Sequence, residues 1–95
     1  VEALAVSMGA QGAVLVPRDG PPTWFTPPPV DTIVSTVGSG DSMVAGIVAA
    51  LVDGLPLDQA CRLGVAAGTA AVLTAGTELC RADDVERLTS QVVCT

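Results

Sequence analysis

With 95 residues the chain suffices for one small domain, yet its charged fraction of 15% lies well below the roughly 25% usual for soluble domains. A small domain exposes much surface for its volume, so so little charge implies that part of this surface is covered, as in a piece of a larger core. The net charge of −6, with four arginines, no lysine and no histidine, excludes a basic nucleic-acid stripe, imidazole metal ligation and serine–histidine catalysis within these residues.

In chain order, residues 4–7 (LAVS) and 13–16 (AVLV) are short apolar runs that predict two strands. "MGAQG" joins them as a glycine turn, with Gly9 and Gly12 supplying the unusual dihedrals. "PRDGPP", 17–22, is a turn cluster, and "TWFT" predicts a third strand ended by the prolines at 27–29. Trp24 and Phe25 are the only aromatics, too few for a base-stacking platform. "VDTIVS", 30–35, leads into a glycine-rich stretch. From Ser42 to Val52 no residue is charged and large apolar side chains recur at helical spacing, which predicts a buried helix. At about 1.5 Å per residue it spans roughly 16 Å, half a bilayer, so no membrane span is expected.

"DGLPLD" breaks that helix, with Gly54 suited to its C-terminus and Asp58 able to cap a second helix, about 58–74. This one is crowded with small residues, among them Gly64 and Gly68, which predicts close packing on a neighbour. "AGTE", 75–78, is a turn, and "ADDVERLTSQVV", 82–93, has the chemistry of a third helix. Cys61, Cys80 and Cys94 are odd in number and form no CxxC pair, the pattern of free thiols in a reducing cytoplasm. No basic-then-apolar signal peptide opens the chain, and its start at Val1 rather than methionine fits a fragment or a processed chain alike.

The chemistry concentrates in "GSGDS", residues 38–42. The first N–H groups of a helix lack internal partners, and the macrodipole adds partial positive charge there. Glycine and serine remove side-chain bulk, so these groups can converge on one anion, most often a phosphoryl group. Asp41 beside such a pocket is electrostatically costly unless it serves a purpose. It either caps the helix or takes a proton from an attacking hydroxyl as a general base. The P-loop pattern fails for want of lysine, and GxGxxG fails because position 43 is methionine.

At this point the residues resemble a known family. Ser35 to Val48 is similar to the second signature of the ribokinase-like, or PfkB, carbohydrate kinases: Ser35-Thr36, Gly38-Ser39-Gly40-Asp41, three free positions, then Ala45-Gly46-Ile47-Val48. "VSMGAQGAVLV", 6–16, resembles the strand–turn–strand before that signature, and "RLGVAAGTAAVLTAGTEL" the helix after it. "PPPVDTIVSTVGSGDSMVAG" looks closest to the 1-phosphofructokinase and tagatose-6-phosphate kinase branch.

The resemblance implies an α/β fold, the C-terminal fragment of a ribokinase-like, Rossmann-like three-layer architecture. Residues 1–95 would be its nucleotide-binding and catalytic portion, with the N-terminal sugar-binding part and lid absent. It further implies ATP with Mg²⁺, the ion held mostly by ATP and water, and transfer of phosphate to a sugar or sugar phosphate. Asp41 would be the catalytic base and Gly38, Ser39 and Gly40 the anion hole. Ser7, Gly9, Gly12, Gly40 and Asp41 would contact ATP, with Val65 near the adenine. Partners would be ATP, a sugar phosphate, and the missing half or a second copy, in the cytoplasm, with no nucleic acid or membrane. Ser35 stands where cation-binding members carry aspartate; a hydroxyl supplies oxygen without charge, so little dependence on K⁺ is expected. The alternative is a non-catalytic α/β module that binds an anion or a partner without turnover.

Overall fold

Small and β-branched residues set up a hairpin at the start of the chain. β1 (Ala3–Ser7) and β2 (Ala13–Pro17) pair antiparallel, with Leu4 opposite Val16 and Val6 opposite Val14. A single 3₁₀ turn, Gly9–Gln11, forms their connection. β3 (Thr23–Thr26) pairs with β2, and β4 (Val93–Cys94) returns from the far end of the chain to pair with β3. The sheet order is β1-β2-β3-β4, antiparallel throughout. The structure, a computed structural model, describes residues 3–29, 39–72 and 82–95. Within them lie the helices α1 (Ser39–Val52), α2 (Leu57–Ala71) and α3 (Ala82–Thr89).

α2 is the centre of the molecule. Its Cys61, Val65, Ala66 and Ala70 meet Ala13, Leu15 and Phe25 from one face of the sheet, together with Leu88 and Val92. Phe25 is 1% exposed; burying such a ring contributes about 2–3 kcal/mol. α1 lies against α2 where side chains vanish. A Cβ at Gly64 would stand 2.5 Å from Ile47 Cγ1 and 2.8 Å from the Met43 carbonyl oxygen, so the two backbones approach as closely as the small-residue pattern implied.

Several boundaries differ from expectation. α1 starts at Ser39 rather than Ser42, so the serine and glycine read as loop are already helical. It ends as expected around Gly54, whose neighbour Leu55 donates to the Ala50 carbonyl at 3.0 Å. Asp58 does not cap α2: Pro56 stands at the N-cap, in extended conformation, and no side chain bonds the helix end. Proline needs no N–H partner there, so the helix starts one residue earlier, at Leu57. α3 stops at Thr89, because Val93 and Cys94 satisfy their backbone groups on β3 instead.

α1 is also not buried as expected. Val44, Val48, Leu51 and Val52 are exposed, Val52 by 80%. By the register, Leu4, Val6, Val16, Trp24 and Val93 share the sheet face turned away from α2, and all are exposed too. Two apolar surfaces thus stand bare on a chain poor in charge, which accounts for the unusual composition. The 95-residue chain alone should therefore self-associate and bind a hydrophobic dye. A monomer in light scattering, with no dye fluorescence, would contradict this.

Candidate active site

The hairpin turn, the prolines after β3, the first turn of α1 and one face of α2 enclose a cleft of about 630 Å³. Ser7, Gly9 and Gly12 line it from the hairpin, Pro27, Pro28 and Pro29 from the segment after β3. Ser39, Gly40 and Met43 line it from α1, and Val65, Gly68, Thr69 and Val72 from α2. Of the residues singled out in the sequence, Ser7, Gly9, Gly12, Ser39, Gly40 and Val65 are thus brought to one place, although they span almost sixty positions of the chain.

The α1 end of the cleft has the physical character expected of an anion site. The N–H groups of its first turn, Ser39 to Ser42, have no carbonyl acceptor within the helix. At Gly40 an added Cβ would meet nothing within 4 Å, so that turn opens on free space. The Ser39 hydroxyl does not: it donates to the Gly68 carbonyl at 3.0 Å, fastening the start of α1 to α2. Ser39 therefore offers an anion its backbone N–H rather than its side chain. Asp41 follows Gly40 in the same turn and is solvent-exposed; it is not among the residues walling the cleft. Gly38 and Ser35 lie outside the described residues.

Sequence reasoning named Val65 alone on α2. Gly68, Thr69 and Val72 follow it at three, four and seven positions, the spacing of one helix face, and this was the signal available for them. The Thr69 hydroxyl bonds back to the Val65 carbonyl at 2.9 Å, within its own helix. The prolines had no such signal, because their place depends on how β3 docks beside the hairpin.

The volume lies within the roughly 300–1,000 Å³ usual for a bound small molecule. Among the described residues no three His, Cys, Asp or Glu side chains gather as a metal site. A divalent ion here would take most of its ligands from phosphate and water. No helix among the described residues is long and apolar enough to cross a membrane.

Residues 1–84 match the model of the pfkB family carbohydrate kinases. The chain is 48% identical over 86 residues to ATP-dependent 6-phosphofructokinase isozyme 2 of Mycobacterium tuberculosis, covering 90% of this chain and 25% of that protein. It is 36% identical to 1-phosphofructokinase of Borreliella burgdorferi, covering 97% and 29%. Phosphofructokinase-2 from Escherichia coli in complex with potassium superposes with a TM-score of 0.87 at 41% identity, over 95% of this chain and 28% of that one. Arabidopsis thaliana ribokinase complexed with ribose and ATP superposes at 0.82 and 25% identity, over 94% and 29%. The chain thus spans between a quarter and a third of its relatives' length, and its antiparallel sheet with three described helices is a fragment of their ribokinase-like α/β fold. The chain belongs to the pfkB family of carbohydrate kinases.

Proposed function

We propose that these residues carry the nucleotide and phosphoryl-transfer portion of an ATP-dependent sugar-phosphate kinase working in the cytoplasm. The observation that supports this most is the convergence of Ser7, Gly9, Gly12 and Val65 on the open first turn of α1, directly beside Asp41. Within this reading, the N–H groups of Gly38, Ser39 and Gly40 hold the transferring phosphoryl group, and their dipoles offset the negative charge that develops on it. Asp41 accepts the proton of the acceptor hydroxyl as its oxygen attacks phosphorus in line. Mg²⁺, held mostly by the phosphates of the nucleotide and by water, would supply positive charge against those phosphates. Ser39, tied to Gly68, keeps the first turn of α1 rigid while the reaction proceeds.

The acceptor enters from the side of Asp41, and the remainder of the protein covers the bare faces of α1 and of the sheet. That remainder supplies the sugar contacts and the basic groups for the sugar's own phosphate. Fructose 1-phosphate and tagatose 6-phosphate are the acceptors first implied by the signature; relatives named 6-phosphofructokinase add fructose 6-phosphate.

The test is an acceptor panel on the intact protein with ATP and Mg²⁺, following ADP release. One sugar phosphate should turn over at the roughly 1–100 s⁻¹ typical of kinases, with free sugars far slower. Nucleotide binding with no turnover on any acceptor would favour the anion-binding module instead.

A further inference from the structure

Two residues of the cleft wall join the start of α1 to the end of α2. The Ser39 hydroxyl donates to the Gly68 carbonyl at 3.0 Å, across 29 positions of the chain. α2 leaves that carbonyl open by tightening at its end. The Val72 N–H turns to the Thr69 carbonyl, three residues back, at 3.2 Å, and not to Gly68, four residues back.

Gly68 also leaves its α1 side bare. An added Cβ would stand 3.1 Å from the Ser39 carbonyl oxygen, 3.5 Å from Met43 Cβ and 3.6 Å from Ser39 Oγ. The nearest of these atoms is backbone, so α1 itself would have to give by a few tenths of an ångström. Ser39, Gly40 and Asp41 share one helical turn, so a shift of Ser39 carries the other two with it. We propose that Gly68 is a positioning residue: its carbonyl and its missing side chain together fix, through Ser39, where the first turn of α1 stands.

The consequence for catalysis rests on the reading of that turn as the phosphoryl-binding one. Transfer rates depend steeply on placement, and a misplacement of about 1 Å can cost about a hundredfold. Gly46 supplies a matched control on the same seam. An added Cβ there would stand 3.1 Å from Ala67 Cβ and 3.1 Å from Gly64 Cα, as crowded as at Gly68. It lies two turns along α1 from Ser39, however, and does not wall the cleft.

The experiment compares Gly68→Ala, Gly46→Ala, Ser39→Ala and the double variant of positions 39 and 68 in the intact protein. Each is assayed with ATP, Mg²⁺ and the sugar phosphate that turns over fastest in the unaltered protein. Gly68→Ala should lower kcat roughly tenfold while the KM for ATP stays within about twofold, because the loss falls on the group in transfer. Its urea midpoint should hold, since alanine favours a helix over glycine and offsets the crowding. Gly46→Ala should keep its kcat. Ser39→Ala should lower kcat about three- to tenfold, the scale of one lost hydrogen bond. The double variant should lose less than the product of the single losses, as residues acting through one another do. Amide exchange at Met43 and Val44, whose N–H groups close the first turn of α1, should quicken in Gly68→Ala and Ser39→Ala but not in Gly46→Ala. Exchange needs no acceptor, so absent turnover in the unaltered protein would fail the kinase reading while exchange still decides the positioning. Equal kcat losses in Gly68→Ala and Gly46→Ala, fully multiplicative losses in the double variant, or unchanged exchange at Met43 and Val44 would each overturn the proposal.

Discussion

Asp41→Asn in the intact protein should lower kcat by a factor on the order of 10² or more, the scale of a lost general base. The amide keeps the shape and the hydrogen-bond acceptor of the carboxylate but cannot take the proton of the attacking hydroxyl. ATP affinity should hold or rise, because a negative charge beside the phosphates has gone; with Asp41 solvent-exposed, solvent screens that gain to a modest one. Stability separates the competing roles. Asparagine serves a helix start about as well as aspartate, so unfolding midpoints should agree while turnover collapses. Near-wild-type kcat with unchanged stability would reduce Asp41 to an acid that complements the α1 dipole.

Gly12→Ala should be the most destabilising single substitution at the cleft. Gly12 holds φ +95° and ψ −129°, outside the range of side chains with a Cβ. The added carbon would also run into the Phe25 carbonyl oxygen and lie 2.9 Å from Pro27 Cδ. Backbone cannot step aside there, since Phe25 is fixed in β3 and by its own burial. Backbone strain and overpacking each cost about 1–3 kcal/mol, so a loss of about 3 kcal/mol or more is expected. Gly9→Ala is the control: φ is +59°, a Cβ would meet nothing within 4 Å, and the cost should be only about 1–2 kcal/mol. Urea unfolding of the intact protein should put the Gly12→Ala midpoint well below that of Gly9→Ala. Equal midpoints would show that β3 yields, and that the clash rather than the dihedral was overrated.

Much of the site was legible because local chemistry carried it. "GSGDS" marks a helix start whatever surrounds it, and glycines at 9 and 12 mark a turn whose dihedrals few other residues accept. Among the described residues, strands β1 to β3 and helices α1 to α3 follow from runs and breaks in the same way. β4 was not legible, since Val93 and Cys94 continue an amphipathic pattern and only the exposed edge of β3 turns them into a strand. The prolines at 27–29 read simply as a strand stop, and became cleft wall when β3 docked beside the hairpin.

The sequence by itself determined the family, the turns and the existence of the three described helices, and which stretch carries the glycine and serine of a helix start. These depend on dihedral preference and unpaired N–H groups, which act over a few residues. Tertiary structure alone decided that Ser39 spends its hydroxyl on Gly68, that α2 lends a face to the cleft, and that Arg62 reaches Cys94. Each of these joins positions roughly thirty or more apart, or depends on which helix face docks where. Such contacts follow from how apolar faces bury one another, and no local run of residues encodes that.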